Sequence, residues 1–195
     1  MDQADNPNNG NARERLLSEA ARLFMEHGYE RTTMRNIASA TGIKLGSIAY
    51  YFKSKDEILF EAMKTVIEAG ETRAFSAVSK ANTPEAKLRA LINTELSSFL
   101  HDKGAITIKE WRCLDDMAKN SLLEHYKAYH DLWLQVLEEC RQQGVIRCRP
   151  EIARQFIRGA FAWSETWYRS EGELMLEDLV DEMINLITQI KPAGG

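Results

Sequence analysis

The chain has 195 residues, 44% of them hydrophobic and 28% charged, with a net charge of −4. This is a globular composition with room for one large domain, or for a small and a medium one. No apolar run approaches the roughly 20 residues that span a bilayer, and residues 1–11 lack the basic and apolar regions of a secretory signal. Three cysteines, Cys113, Cys140 and Cys148, with no C-x-x-C spacing, argue against a disulfide framework and a structural zinc.

Residues 1–11 read as a disordered tail, and the expected location is cytoplasmic. The spacing of apolar residues predicts helices throughout and no strand. The first helix is expected over about 13–27, with Leu16, Leu17, Ala20, Ala21 and Phe24 inward and Gly28 as its stop. Thr33 then caps a short helix with Ile37, Ala38 and Thr41 on one face, and Gly42 ends it. A second short helix returns Ile48 and Phe52 to the first and turns Lys44, Ser47, Tyr50 and Tyr51 outward. Two such helices with a tight turn make a helix-turn-helix, whose second helix enters the major groove of DNA.

Charge is distributed accordingly. Residues 11–55 hold eight Lys or Arg against four Glu, a net of +4, while residues 56–195 carry −6. A basic head on an acidic body fits a head that reads nucleic acid.

Ser54 and Glu57 form a capping-box pattern that opens a long helix over about 55–81. Thr83 and Pro84 start the next, to about 100, and residues 101–104 end it. Further helices are expected over about 105–117 (Ile108, Trp111, Leu114), 120–143 (Leu122 to Leu137), 149–169 and 176–190. The last carries Leu179, Met183, Leu186 and Ile190 as an apolar stripe, and Gly159, Ala160 and Ala162 allow close approach of a partner helix. Both features fit a homodimer, although the stripe equally fits intrachain core. His125 and His130, five apart, do not share a helical face as metal ligands would.

The first 65 or so residues resemble the TetR-like transcriptional regulators. The shared features are His27-Gly28-Tyr29, Thr32 to Ala38, Gly42-Ile43, Gly46-Ser47-Ile48 and Tyr50 to Asp56. The resemblance implies an all-α homodimeric repressor with a helix-turn-helix head and a helical ligand-binding and dimerisation body. Ala49 departs from the family's larger polar residue. Glu110-Trp111-Arg112, Trp167-Tyr168-Arg169, Gly172 and Leu176 to Leu179 resemble a branch that senses acyl-CoA thioesters.

The domains read as 1–11 tail, 12–57 head and 58–195 body. For double-stranded operator DNA, Lys44, Ser47 and Tyr50 are the candidate groove contacts. Thr33, Arg35, Tyr51 and Lys55 are the candidate phosphate contacts. Leu45 suits a thymine methyl and Gly46 a close backbone approach. For a small-molecule effector the candidates are Trp111, Tyr126, Tyr129, Trp133, Trp163 and Trp167 as apolar wall. Arg112, Arg158 and Arg169 would hold an anionic group. No nucleophile–base pair, metal cluster or phosphate-cradling glycine loop points to an enzyme, and no cofactor is expected. An activator with the same head, and a helical carrier that no longer reads DNA, are the rival readings.

Overall fold

The computed structural model describes residues 7–101 and 106–188. Every regular element among them is helical: α1 (Pro7–His27), α2 (Met34–Thr41), α3 (Leu45–Tyr51), α4 (Lys55–Ser79), α5 (Pro84–His101), α6 (Ile106–Lys109), α7 (Asp116–Gln142), α8 (Pro150–Trp167) and α9 (Leu176–Thr188). A single 3-10 turn, Trp111–Cys113, lies between α6 and α7. The residues form two compact units. One runs up to Val66 and includes Ile106–Glu124; the other holds Ile67 to the end of α5 and the chain from His125 onward.

In the first unit α1 packs on α2 and α6, and α2 on α3. The helical spacing of apolar residues explains the core: Leu16, Ala20, Phe24, Ile37, Ile48, Ile58, Leu59 and Met63 have no exposed surface. Each such Leu, Ile, Phe or Met contributes about 1.5–3 kcal/mol by leaving water. Thr33 caps α2 as expected: its hydroxyl accepts from Asn36 N at 3.2 Å, and Asn36 Oδ1 accepts from Thr33 N at 2.8 Å. Gly42 ends α2 at φ 68°, and Gly28 ends α1 at φ 82°. An arginine strap closes the unit: Arg13 pairs with Glu61 on α4 at 2.7 Å and lies 5.0 Å from the centre of the Phe52 ring.

In the second unit α5 packs against α8 and α9. Leu88, Leu91, Ile92, Leu96, Trp133, Val136, Leu137 and Phe161 are fully buried. Thr83 caps α5 through Ala86 N at 3.2 Å, with Pro84 at the first helical position. Lys87 on α5 pairs with Glu139 on α7 at 2.7 Å, and Arg89 pairs with Asp181 on α9.

The structure departs from the sequence reading at four points. Helix α1 begins at Pro7 rather than near residue 13, because proline at the first helical position gives up no backbone bond. The single helix expected over 105–117 is broken. Glu110 lies outside the helical region (φ −103°, ψ 5°), Leu114 is extended (φ −82°, ψ 146°), and α7 starts early at Asp116. Asp115 explains that start, since its carboxylate accepts from Ala118 N at 2.7 Å as a cap. At the start of α4, Ser54 Oγ accepts from Glu57 N at 3.1 Å as expected. Glu57 reaches one residue further back, accepting from Lys53 N at 2.6 Å. In α9 the stripe splits: Leu179 is buried and Met183 half-buried, while Leu186 is 69% exposed; Val180 and Ile184, beside the stripe, are buried. Residues 1–6 of the expected tail, residues 102–104 of the α5 stop, the Ile108 side chain and Ile190 lie outside what is described.

Candidate functional site

Two groups of residues stand out, one in each unit. In the first unit, Gly42 turns the chain from α2 into α3 with a left-handed backbone that a side chain would strain. Ile48 and Phe52 anchor α3 inward. Their burial leaves Lys44, Leu45, Gly46, Ser47 and Tyr50 exposed, with Tyr50 at 70%. The ring of Tyr51 is half-buried and meets Tyr50 edge-on at 5.2 Å. Thr33 and Arg35, at the start of α2, are exposed as well. Of the nine residues singled out for DNA, Lys55 alone is turned inward. Its ammonium donates to the carbonyl oxygens of Tyr29 at 2.9 Å and Thr32 at 3.0 Å. Beside it the Tyr29 hydroxyl bonds to Asp56, and burial with that carboxylate pushes the phenol well above its ordinary pKa.

In the second unit the structure gathers four of the expected effector residues. Tyr126 and Tyr129 meet edge-on at 5.5 Å; Trp133 is fully buried; Arg158 lies 5.4 Å from the centre of the Tyr126 ring. Trp111 and Arg112 belong to the 3-10 turn of the first unit. Trp163 and Trp167 point outward from α8, 68% and 48% exposed, and Arg169 is exposed beyond its end. With Phe156, 78% exposed, these two tryptophans make an apolar outer face on α8.

At the centre of the cluster is a residue the sequence reading missed. Arg154 is fully buried. Its Nη2 donates to Glu95 Oε1 at 3.0 Å and to the Tyr126 hydroxyl at 2.5 Å, and stands 2.9 Å from Glu95 Oε2 in an ion pair. The guanidinium carbon stands 4.2 Å from the centre of the Trp133 ring. Tyr129 donates to Glu95 Oε2 at 2.8 Å. Burial, and then the Glu95 charge, hold both phenols above their ordinary pKa. His130 is pulled below its ordinary value by burial and by the charge of Arg154. The sequence carried a signal for this pair. Ala153, Ile157 and Phe161 mark the inner face of α8, and position 154 falls among them. Leu88, Leu91, Ile92, Leu96 and Phe99 do the same around Glu95 on α5. A charge inside an apolar stripe needs a partner.

Known proteins share this fold. Residues 16–62 match the model of bacterial regulatory proteins, tetR family, and residues 81–190 match the tetracyclin repressor-like C-terminal domain. The chain is 27% identical over 180 residues to the HTH-type transcriptional repressor KstR2 of Mycolicibacterium smegmatis, covering 90% of this chain and 88% of that one. It is 25% identical to AibR, solved in complex with isovaleryl coenzyme A and operator DNA, with a TM-score of 0.82 over 91% of this chain and 98% of AibR. The superantigen PfiT is 39% identical, with a TM-score of 0.77 over 92% of this chain and 97% of PfiT.

Proposed function

We propose, from the premise that the chain belongs to the tetR family of bacterial regulatory proteins, that it is a homodimeric repressor released from operator DNA by a small apolar or acyl-CoA-type effector. At the coarser level it is a DNA-binding transcriptional regulator rather than an enzyme. In this reading the head is residues 12–57 and the body 58–195. No helix among the described residues is long and apolar enough to cross a membrane.

The observation that carries the reading is the outward face of α3. Lys44, Leu45, Ser47 and Tyr50 are exposed together on a short helix held by Ile48 and Phe52. Lys44, Ser47 and Tyr50 meet base edges, Leu45 meets a thymine methyl, and Gly46 lets the backbone approach. Thr33, Arg35 and Tyr51 set register on phosphates. One such helix covers few base pairs. Two copies, joined through the outer face of α8 and Leu186 of α9, read half-sites about 34–36 Å apart or a multiple of that.

The effector enters the body beside Tyr126, Tyr129, Trp133 and Arg158. The sequence reading also assigned Trp111, Arg112, Trp163, Trp167 and Arg169 to the effector; Trp111 and Arg112 lie in the first unit, and Trp163, Trp167 and Arg169 are exposed, so they are left out of this site. Release requires the effector to bind the DNA-free state better than the DNA-bound one. A coupling of about 1–3 kcal/mol weakens operator binding 5- to 150-fold. The relatives support this chemistry, since AibR was solved with an acyl-CoA and operator DNA.

The test is a titration of the protein onto the intergenic DNA upstream of its own gene, followed by challenge with free acids and their CoA thioesters. Saturable, salt-sensitive binding that a thioester abolishes is the expected result. Weak binding that salt does not alter ends the DNA-reading assignment. Tight binding that no thioester disturbs removes the acyl-CoA assignment alone.

A further inference from the structure

We propose that Arg13, held by Glu61, is a positioning residue for DNA recognition: through the Phe52 ring it sets the inclination of α3, and with it the places where Lys44, Ser47 and Tyr50 meet base edges. The inference rests on the reading of α3 as the helix that meets DNA, and it adds a residue from outside the contact surface. Arg13 stands three residues before the stretch that matches the head of the tetR family.

Helix α3 cannot hold its own direction. It has seven residues, well short of the roughly 12–15 at which an isolated helix becomes even marginal in water. Lys44 in front of it supplies no side-chain cap, and Phe52 behind it is already extended (φ −143°, ψ 133°). Its buried anchors are Ile48 and Phe52, one turn apart. Ile48 lies at the middle of the helix and serves as a pivot. Phe52 lies just past the end, so the seat of its ring decides the angle about that pivot. A seven-residue helix is about 10 Å long, and a turn of about 10° about its middle carries each end by about 1 Å. That exceeds the spread of good hydrogen-bond distances.

Arg13 makes the seat. It stands on α1, with its guanidinium carbon over the Phe52 ring, 5.0 Å from the ring centre. Its Nη2 donates to Glu61 Oε2 on α4 at 2.7 Å. A planar guanidinium does both at once, since its N–H groups reach a carboxylate in the plane while its face covers a ring. The start of α1, the end of α3 and α4 thus meet at one side chain. Glu57, one turn before Glu61, accepts from Lys53 N at 2.6 Å. That bond fixes the corner between α3 and α4, while Arg13 bears on the ring that sets the inclination. The side chain of Arg13 is 44% exposed, but its charge is matched by Glu61. It is therefore engaged within the head rather than offered to a phosphate.

Fluorescence anisotropy tests the proposal, with the full chain on the intergenic duplex upstream of its own gene and on a scrambled duplex of the same length, across a salt series. The variants are Arg13→Met and Glu61→Ala, each checked for helicity and melting. They change the charge of the head in opposite directions, so attraction to phosphates moves in opposite directions, whereas a loosened α3 has the same effect in both. Both are expected to lower the ratio of operator to scrambled affinity about fivefold or more, the low end for one good base contact. The salt slope on the scrambled duplex should stay as in the parent. If Arg13 instead meets a phosphate, Glu61→Ala tightens binding to both duplexes, and Arg13→Met weakens both and lowers the slope by about 0.9; that result overturns the proposal. So does an unchanged ratio in either folded variant, which leaves the ion pair a role in stability alone. The parent protein reads the regulator assignment separately. A parent that prefers its operator keeps that assignment whatever the variants do, and a parent without preference loses it and this inference together.

Discussion

Lys55 holds Tyr29 twice: its ammonium donates to the Tyr29 carbonyl oxygen at 2.9 Å and lies 4.0 Å from the centre of the Tyr29 ring. With the further bond to Thr32 O, it ties the start of α4 to the loop between α1 and α2. Lys55→Met is therefore expected to destabilise the protein by about 2 kcal/mol in urea unfolding, from charge-assisted bonds and a cation–π contact. Operator affinity should fall with it, while the dependence of binding on salt stays the same. A salt slope reduced by about one would instead identify Lys55 as a phosphate contact.

Arg35 and Tyr50 test the two kinds of DNA contact. Arg35→Ala should weaken binding to all sequences alike and lower the salt slope by about 0.9. Tyr50→Ala should leave the slope nearly unchanged and relax preference at particular base pairs. Binding to the operator and to a scrambled duplex across a salt series distinguishes them.

Gly42 and Gly46 should part company on replacement by alanine. Gly42 stands at φ 68°, so Gly42→Ala is expected to cost about 1–2 kcal/mol of stability. A Cβ at Gly46 would meet no atom within 4 Å, and its backbone is helical. Gly46→Ala should therefore fold as well as or slightly better than the parent and still lose operator affinity. Thermal melts paired with binding titrations give both readings.

His130 sets a pH dependence. Burial and the Arg154 charge lower its folded pKa from 6.5. The unfolded chain therefore takes up a proton first as pH falls, and the contribution is whole above the unfolded value and declines below it. Unfolding by urea should show lower stability near pH 5 than near pH 7.5, and His130→Asn should flatten part of that difference. Unchanged curves in the variant would place the effect elsewhere.

The outer face of α8 should govern assembly. Phe156 and Trp163 are the most exposed aromatics of that helix, at 78% and 68%. The double change Phe156→Glu, Trp163→Glu puts charge on a surface that the parent would cover. Sedimentation should show a monomer that keeps its helicity and no longer binds a two-half-site operator. A folded dimer from this variant would assign assembly to another face.

Much of the head was legible in the chain because its devices are local. Thr33, Gly42 and Ser54 act on backbone groups within three residues, so cap and stop could be read from spacing. The inward bonds of Lys55 could not be read, because its acceptors lie 26 and 23 residues earlier and no pattern in its own helix announces them. The pair Arg154–Glu95 is separated by 59 residues. Each partner interrupts an apolar stripe, but only the packing of α5 on α8 brings the two interruptions together. The aromatics of the body could be counted from the sequence but not sorted. Trp133 and Trp163 are both on helices, and which side of its helix meets a neighbour is a tertiary fact.

The break between α6 and α7 bears on how the first unit responds to stress. A four-residue helix and one 3-10 turn carry few ladder bonds, and the segment is fastened instead by Ile106, Glu110 and Leu114, all buried. Such a stretch opens at lower free energy than the long helices flanking it. Its amides should exchange with deuterium ahead of those in the middle of α4 and α7. A chain fastened by side chains rather than by backbone can re-seat its plugs without unwinding a helix, so this is where the fold yields first.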